Sequence, residues 1–218
     1  MIKRKLIAVI TVSLLFLYVN SFAMYGIIKT QPTPGGVVLT FDDGPDNRNT
    51  QKILDILESY HIKATFFMVG EQAHRFPDLV KAVHAAGHHI ANHSYTHPMM
   101  THLPSLVMQR QVTDTNAILV ELTGVKPACF RPPFGAHNKK VDSFIHSLDM
   151  QIVMWDVDSR DWKKIPPQKL EKIVLREVGA GKIILMHDGG GNRAHTIEAL
   201  PDIIEALQKR GLTFETIC

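Results

Sequence analysis

The sequence predicts an α/β fold built on a parallel sheet. Short β-rich runs alternate with helical stretches, Gly and Pro punctuate the changes between them, and chemistry-bearing residues gather just after the β-rich runs. Alternation of this kind implies helical crossovers between parallel strands, in an open doubly wound sheet or a closed barrel, and periodicity alone does not separate the two. A chain of 218 residues, 45% hydrophobic and 21% charged, makes one globular domain with a sizeable core.

The first segment differs from the rest. "MIKRK" is a basic flank, and residues 6–19, "LIAVITVSLLFLYV", form an apolar run shorter than the roughly 20 residues a membrane-spanning helix needs. The triplet Ser21-Phe22-Ala23 offers a small-x-small cleavage site, while apolar character resumes through "MYGII". Residues 1–30 therefore read as a signal peptide or an uncleaved N-terminal anchor, and either implies export, with membrane contact only through this segment. Residues 31–218 form the globular domain. Net charge is +3, to which "MIKRK" contributes heavily, so the body is nearly balanced and no nucleic-acid partner is expected.

Beyond a linker with Pro32, Pro34, Gly35 and Gly36, the elements follow in order. "VVLTF" (37–41) precedes a helix in "TQKILDILESY", with Ile53, Leu54 and Leu57 on one face. "ATFFMV" (64–69) precedes a helix that Pro77 starts and Gly87 stops. "HHIAN" (88–92) precedes a long loop and a helix over 104–124. "ACF" (128–130) leads to a helix near 138–148, and "QIVMW" (151–155) to one near 166–178. "KIILM" (182–186) leads into "TIEALPDIIEALQKRG", and "TFETI" (213–217) closes a set of seven strands.

In parallel α/β folds, functional residues lie at the carboxyl ends of strands. Here those ends carry Asp42 and Asp43, then His93 and His97 in "HSYTH", Arg131 in "RPPFG", Asp156, Asp158, Asp161 and Trp162 in "DVDSRDW", and His187 and Asp188. His93 and His97 are four apart, so a helical turn or a tight loop can aim both imidazoles at one point. Two His and one carboxylate suit a catalytic zinc site, with Asp42 or Asp43 as the third ligand. Adjacent side chains at a strand end diverge, so one acid of the doublet can ligate a metal while the other faces the attacking water. Asp46 reads as a solvated turn acid, and His84, His88, His89 and His102 as surface or structural residues.

"TFDDGP", "HSYTH", "RPPFG", "DVDSRDW" and "IILMHD", in this order and at these separations, resemble the five signature motifs of the NodB-type polysaccharide deacetylases, carbohydrate esterase family four. The resemblance covers about residues 36–217 and implies a distorted (β/α) barrel with seven parallel strands. It implies metal-dependent removal of N-acetyl or sometimes O-acetyl groups from polysaccharides. By the same resemblance Asp42 is the catalytic base, Asp43 a metal ligand beside His93 and His97, and Arg131 the cation that pairs with the base. Phe134 is then the residue whose backbone N–H helps hold the oxyanion. His187 is the general acid, Asp161 its charge partner, and Trp162 and Leu185 the apolar walls around the acetyl methyl. Zinc suits the ligand set, and cobalt, manganese or nickel could occupy it. The chain departs from the family's usual pattern at His89 and Ala91, outside the ligand set.

In a seven-stranded barrel Cys129 belongs to strand four and Cys218 follows strand seven, which separates them by more than the roughly 7 Å a disulfide spans. The expectation is two free thiols. The function implied is N-deacetylation of N-acetylglucosamine units in peptidoglycan or chitin-like oligomers by an exported monomer. An O-acetyl xylan esterase on the same centre is the enzymatic alternative. A glycan-binding protein without turnover is the alternative of another class, and binding alone does not need a base, an acid and a metal triad together.

Overall fold

The computed structural model describes residues 27–28 and 35–218, so nearly all of the expected signal or anchor segment lies outside the described residues. Nine strands form one sheet: β1 (Ile27–Ile28), β2 (Gly36–Asp42), β3 (Thr65–Met68), β4 (His89–Asn92), β5 (Cys129–Phe130), β6 (Gln151–Val153), β7 (Val157–Asp158), β8 (Ile183–His187) and β9 (Thr213–Glu215). The order is β1-β6-β5-β4-β3-β2-β8-β7, with β9 on β2, and the described pairings are all parallel. The helices are α1 (Thr50–Ser59), α2 (Gly70–Arg75), α3 (Pro77–Ala85), α4 (Ser105–Thr123), α5 (Lys139–Ser147), α6 (Pro167–Glu177) and α7 (Ala194–Lys209). The architecture is a distorted (β/α) barrel.

All seven expected strands form, and two more join them. β1 and β7 each have two residues, too short for any alternation of side chains to register in the sequence. β7 lies within "DVDSRDW", where Val157 and Asp158 pair with Ile184 and Leu185 of β8. β2 is the centre of the sheet: every residue is buried, and β8 pairs with Val38–Asp42 on one edge while β9 and β3 share the other. A continuous "VVLTF" without polar alternation is what burial on both faces requires.

The helices close where local chemistry directs. Pro77 and Pro167 open α3 and α6 at positions where a missing N–H costs nothing. The Asn138 side chain accepts the Val141 amide at 3.1 Å to start α5, and Gly124, with φ +74°, ends α4. Ile53, Leu54 and Leu57 of α1 are buried with Ile203, Ile204 and Leu207 of α7 in the largest apolar cluster. That cluster packs the helices against the sheet and leaves the carboxyl ends of the strands free for chemistry.

The cysteines correct an expectation. Cys129 and Cys218 form a disulfide with Cα atoms 5.7 Å apart. The expectation failed because it treated the last strand as an ordinary member of the ring. β9 instead pairs with the first residues of β2, and the C-terminus then crosses the amino ends of the neighbouring strands. Thr65 of β3 donates its hydroxyl to the Ile217 carbonyl (3.1 Å) and accepts the Ile217 amide (3.0 Å), while His89 of β4 donates Nδ1–H to the same carbonyl (3.3 Å). Cys218 thereby arrives at Cys129, the first residue of β5. Thiol titration of unreduced, denatured protein should find no free thiol, and reduction should release two. Cys218→Ser should lower unfolding free energy by roughly 2–4 kcal/mol, because the bridge closes a long loop; an unchanged denaturation midpoint would contradict this.

Candidate active site

At the carboxyl ends of the strands a cleft of about 480 Å³ is lined by Asp42, Asp43, His93, His97, Phe134, Trp162, Leu185 and His187, with Pro132, Trp155 and Asp158 completing the wall. Arg131 and Asp161 stand behind it, buried, in contact with Asp42 and His187. The ten residues to which the resemblance gives a role are therefore brought to one place.

Asp42 and Asp43 do diverge, as adjacent side chains must. Asp42 accepts Arg131 Nη1–H at 2.7 Å, and the same nitrogen donates to Thr40 Oγ1 at 2.7 Å. Thr40 precedes Asp42 by two residues on β2 and so shares its face, a relation the sequence already contained. Asp43, at φ +72°, turns away and places Oδ1 3.5 Å from His93 Nε2 and 3.3 Å from His97 Nε2.

"HSYTH" is a tight loop rather than a helical turn. Asn92 Oδ1 accepts the Ser94 amide (2.8 Å), Ser94 Oγ accepts the His97 amide (3.1 Å), and Gln111 Oε1 accepts the amides of Tyr95 and Thr96 (2.9 and 2.8 Å). His93 donates Nδ1–H to the Arg131 carbonyl at 2.7 Å, which fixes its tautomer and leaves the Nε2 lone pair toward Asp43.

Asp43, His93 and His97 each present one ligand atom, and the three atoms lie within 4.8 Å of one another. Asp43 Oδ1 is buried and has no hydrogen-bond partner, which is the state expected of an oxygen reserved for a cation. Burial opposes ionisation of Asp43, yet the imidazoles of His93, His187 and His97 around it hold its carboxyl well below the usual range. Burial, with the charge of His93, pushes His97 down, toward the neutral imidazole that a metal requires. The residues present fit a divalent metal ion.

On the other side of the chemistry, His187 Nδ1 meets Asp161 Oδ1 at 2.7 Å. Asp161 Oδ2 accepts the His187 amide and the Thr196 hydroxyl, each at 2.9 Å. Burial alone would lower the pKa of His187; the Asp161 hydrogen bond and charge overcome it and raise it to about 9. Asp161 in turn is held below its ordinary value despite burial. The imidazolium therefore stabilises the fold, fully below pH ~6.5 and decreasingly as pH rises through about 9.

Phe134 (63% exposed) and Trp162 (49% exposed) stand at the rim, the Phe134 ring edge-on to His97 at 4.6 Å, and Leu185 lies at the floor. Asp156 of the "DVDSRDW" run pairs with Lys182 at 3.0 Å instead of entering the cleft. His88 is structural: it precedes β4 at the far end of the barrel, its Nδ1 accepts the Ala64 amide at 3.1 Å, and burial lowers its pKa to about 4. His84, His89 and His102 are exposed. Thr40, Asn92, Trp155 and Thr196 were not singled out from the sequence. Of these only Thr40 had a local signal; the others owe their place to the tertiary fold.

A family model described as polysaccharide deacetylase matches residues 29–153. A peptidoglycan-N-acetylglucosamine deacetylase of Bacillus cereus is 38% identical over 182 residues, covering 83% of this chain and 66% of the relative, just under two thirds of its length. A chitooligosaccharide deacetylase of Rhizobium leguminosarum bv. trifolii is 35% identical over 192 residues, covering 83% of this chain and 89% of the relative. Among solved structures, a peptidoglycan N-acetylglucosamine deacetylase in complex with 4-naphthalen-1-yl-N-oxidanyl-benzamide superposes with a TM-score of 0.86 at 36% identity, covering 88% of this chain and 91% of that one. With more than half of its length matched by the family model, the chain belongs to the polysaccharide deacetylase family, the hydrolases of carbohydrate esterase family four that share the NodB homology domain.

Proposed function

We propose that the chain is a metal-dependent N-deacetylase acting on N-acetylglucosamine units, with peptidoglycan as the preferred polymer and chitin-like oligomers as the next. One observation carries the reading: two proton-handling groups, Asp42 and His187, line the same cleft as the Asp43, His93, His97 triad, and each has its own buried counter-charge. Relatives named for peptidoglycan and chitooligosaccharide support the substrate class. We take zinc as the metal because two His and one carboxylate suit it, with cobalt, manganese or nickel able to substitute.

When bound, the ion would supply Lewis-acid polarisation of the acetamide carbonyl and acidify a water. Asp42, kept in place by Arg131, takes the proton from the attacking water as its oxygen bonds to the carbonyl carbon. The Phe134 backbone N–H helps hold the developing oxyanion, and Leu185 and Trp162 enclose the methyl group. His187, engaged through Nδ1 with Asp161, gives its Nε2 proton to the departing nitrogen as the C–N bond breaks. Acetate and the free amine result. An amine leaves poorly unless protonated, which is why a histidine held cationic near neutral pH matters here.

Export is the matching location. The N-terminal basic and apolar pattern supports it, as does a disulfide, which persists in oxidising compartments. No described helix is long and apolar enough to cross a membrane. The proposed organisation is a signal or anchor in 1–30 and a monomeric catalytic domain in 31–218.

With zinc restored after chelation, the chain should release acetate from peptidoglycan and chitin oligomers. Asp42→Asn should keep zinc while losing roughly 10²–10⁴-fold in kcat, and His97→Ala should lose zinc affinity. Release from acetylxylan alone would instead assign an O-acetyl esterase, and normal glycan binding without turnover would assign a binding protein. The pH profile tests the acid. A bound dication lowers the pKa of His187 from about 9, so the alkaline limb of kcat should fall at or below that value. Asp161→Asn should move the limb to lower pH by roughly 1–3 pH units; a limb that stays put would remove His187 from the role of acid.

A further inference from the structure

The turn that carries Asp42 and Asp43 leaves β2 through Gly44 and Pro45, neither of which has a side-chain hydrogen bond to offer. Both ends of the turn are held from the neighbouring strand end. The Asp42 carbonyl accepts the backbone amides of Asp188 (3.1 Å) and Gly189 (3.2 Å). At the far end, the Asp46 amide donates to Thr50 Oγ1 (2.8 Å), and the Thr50 hydroxyl donates in turn to Asp188 Oδ2 (2.6 Å). A single residue thus grips the turn on both flanks.

The fit around this residue is tight. A Cβ added to Gly44 would overlap the Asp188 carboxylate, and one added to Gly189 would overlap the Asp43 carbonyl oxygen. Asp188 is 1% exposed and its Oδ1 is buried without a hydrogen-bond partner. A buried, half-satisfied carboxyl is costly to keep, so space-filling alone does not account for it. It is also absent from the walls of the cleft, so it cannot act by touching substrate.

We propose that Asp188 is a positioning residue for the acid doublet: through Thr50 and its own backbone amide, beside that of Gly189, it fixes the turn that aims Asp43 Oδ1 at His93 and His97 and sets Asp42 against Arg131. A negative charge acting through space is the other way a carboxyl here could matter. Asparagine separates the two, because it keeps the acceptor for Thr50 and the volume beside Gly44 while removing the charge. The kinetic half of the test rests on the deacetylase reading; the zinc half does not.

The zinc-loaded chain should be compared as wild type, Asp188→Ala, Asp188→Asn and Thr50→Val, by chelator competition for zinc and by kcat and KM for acetate release. Asp188→Ala should weaken zinc binding and lower kcat by roughly 10–100-fold each, with KM little changed. Thr50→Val should move in the same direction by less, and Asp188→Asn should recover most of the loss. Wild-type zinc affinity and kcat in Asp188→Ala would overturn the proposal. An Asp188→Asn variant as impaired as Asp188→Ala would overturn it too, since shape would not be what matters. If Asp188→Ala fails to fold, Thr50→Val decides: it removes only the bridging hydroxyl, and wild-type zinc affinity in that variant sinks the idea. A wild type that binds zinc but releases no acetate refutes the substrate reading alone, and the affinities still judge Asp188.

Discussion

One guanidinium with no exposed surface holds the barrel's chemistry in register. Arg131 donates to Thr40 Oγ1 and Asp42 Oδ1 on β2, and to the carbonyls of Val153 (3.2 Å) and Met154 (3.0 Å) at the end of β6, while it lies 4.0 Å over the Phe67 ring of β3. Its own carbonyl fixes the His93 ring. Burial pushes the pKa of Arg131 down and Asp42 opposes that push. Taking away one partner of a buried ion pair leaves an uncompensated charge, at a cost of roughly 3–5 kcal/mol. The ion pair that presents Asp42 to the cleft is therefore also what keeps three strands at their mutual spacing, so site and scaffold cannot be varied independently here.

Around that pair the backbone takes up conformations that side chains other than glycine avoid. Asp43 (φ +72°), His97 (φ +56°) and Phe134 (φ +59°) all line the cleft, and all three lie in the left-handed region. Such positions persist only where neighbours over-determine them. Ser94 and Gln111 do this for the His97 loop through side-chain acceptors, and Gly189 does it for Asp43 by approaching too closely for any Cβ. Regular structure would have pointed these residues elsewhere; the departures are what let three different strand ends converge.

The seven main strands were legible because each is a short apolar run bounded by Gly, Pro or polar residues, and Asp42, His93, Arg131 and His187 were legible because each follows such a run at the same end of a parallel sheet. Thr40 was recoverable from the two-residue period of β2. What was not legible depends on where elements dock. The disulfide depends on β9 pairing with the start of β2 and sending Cys218 across the amino ends of β3 and β4, a path that no local pattern encodes. Thr196 is likewise far from Asp161 in the chain, and only the packing of α7 beside β8 delivers its hydroxyl to Oδ2. The two-residue strands β1 and β7 exist because longer neighbours template them.

On the proposed reading, the charges in the cleft divide in a way that separates metal binding from proton transfer. Asp42 is matched by Arg131 and Asp161 by His187, so the proposed base and the proposed acid each have a counter-charge at 2.7 Å. Asp43 is the acid of the cleft left facing only imidazoles, one of which burial drives toward neutrality. A dication entering there meets one carboxylate and two imidazole lone pairs without breaking either of the matched pairs. The adjacent acids of "FDDGP" can serve different chemistry because one is spoken for by the arginine that follows β5 and the other is not.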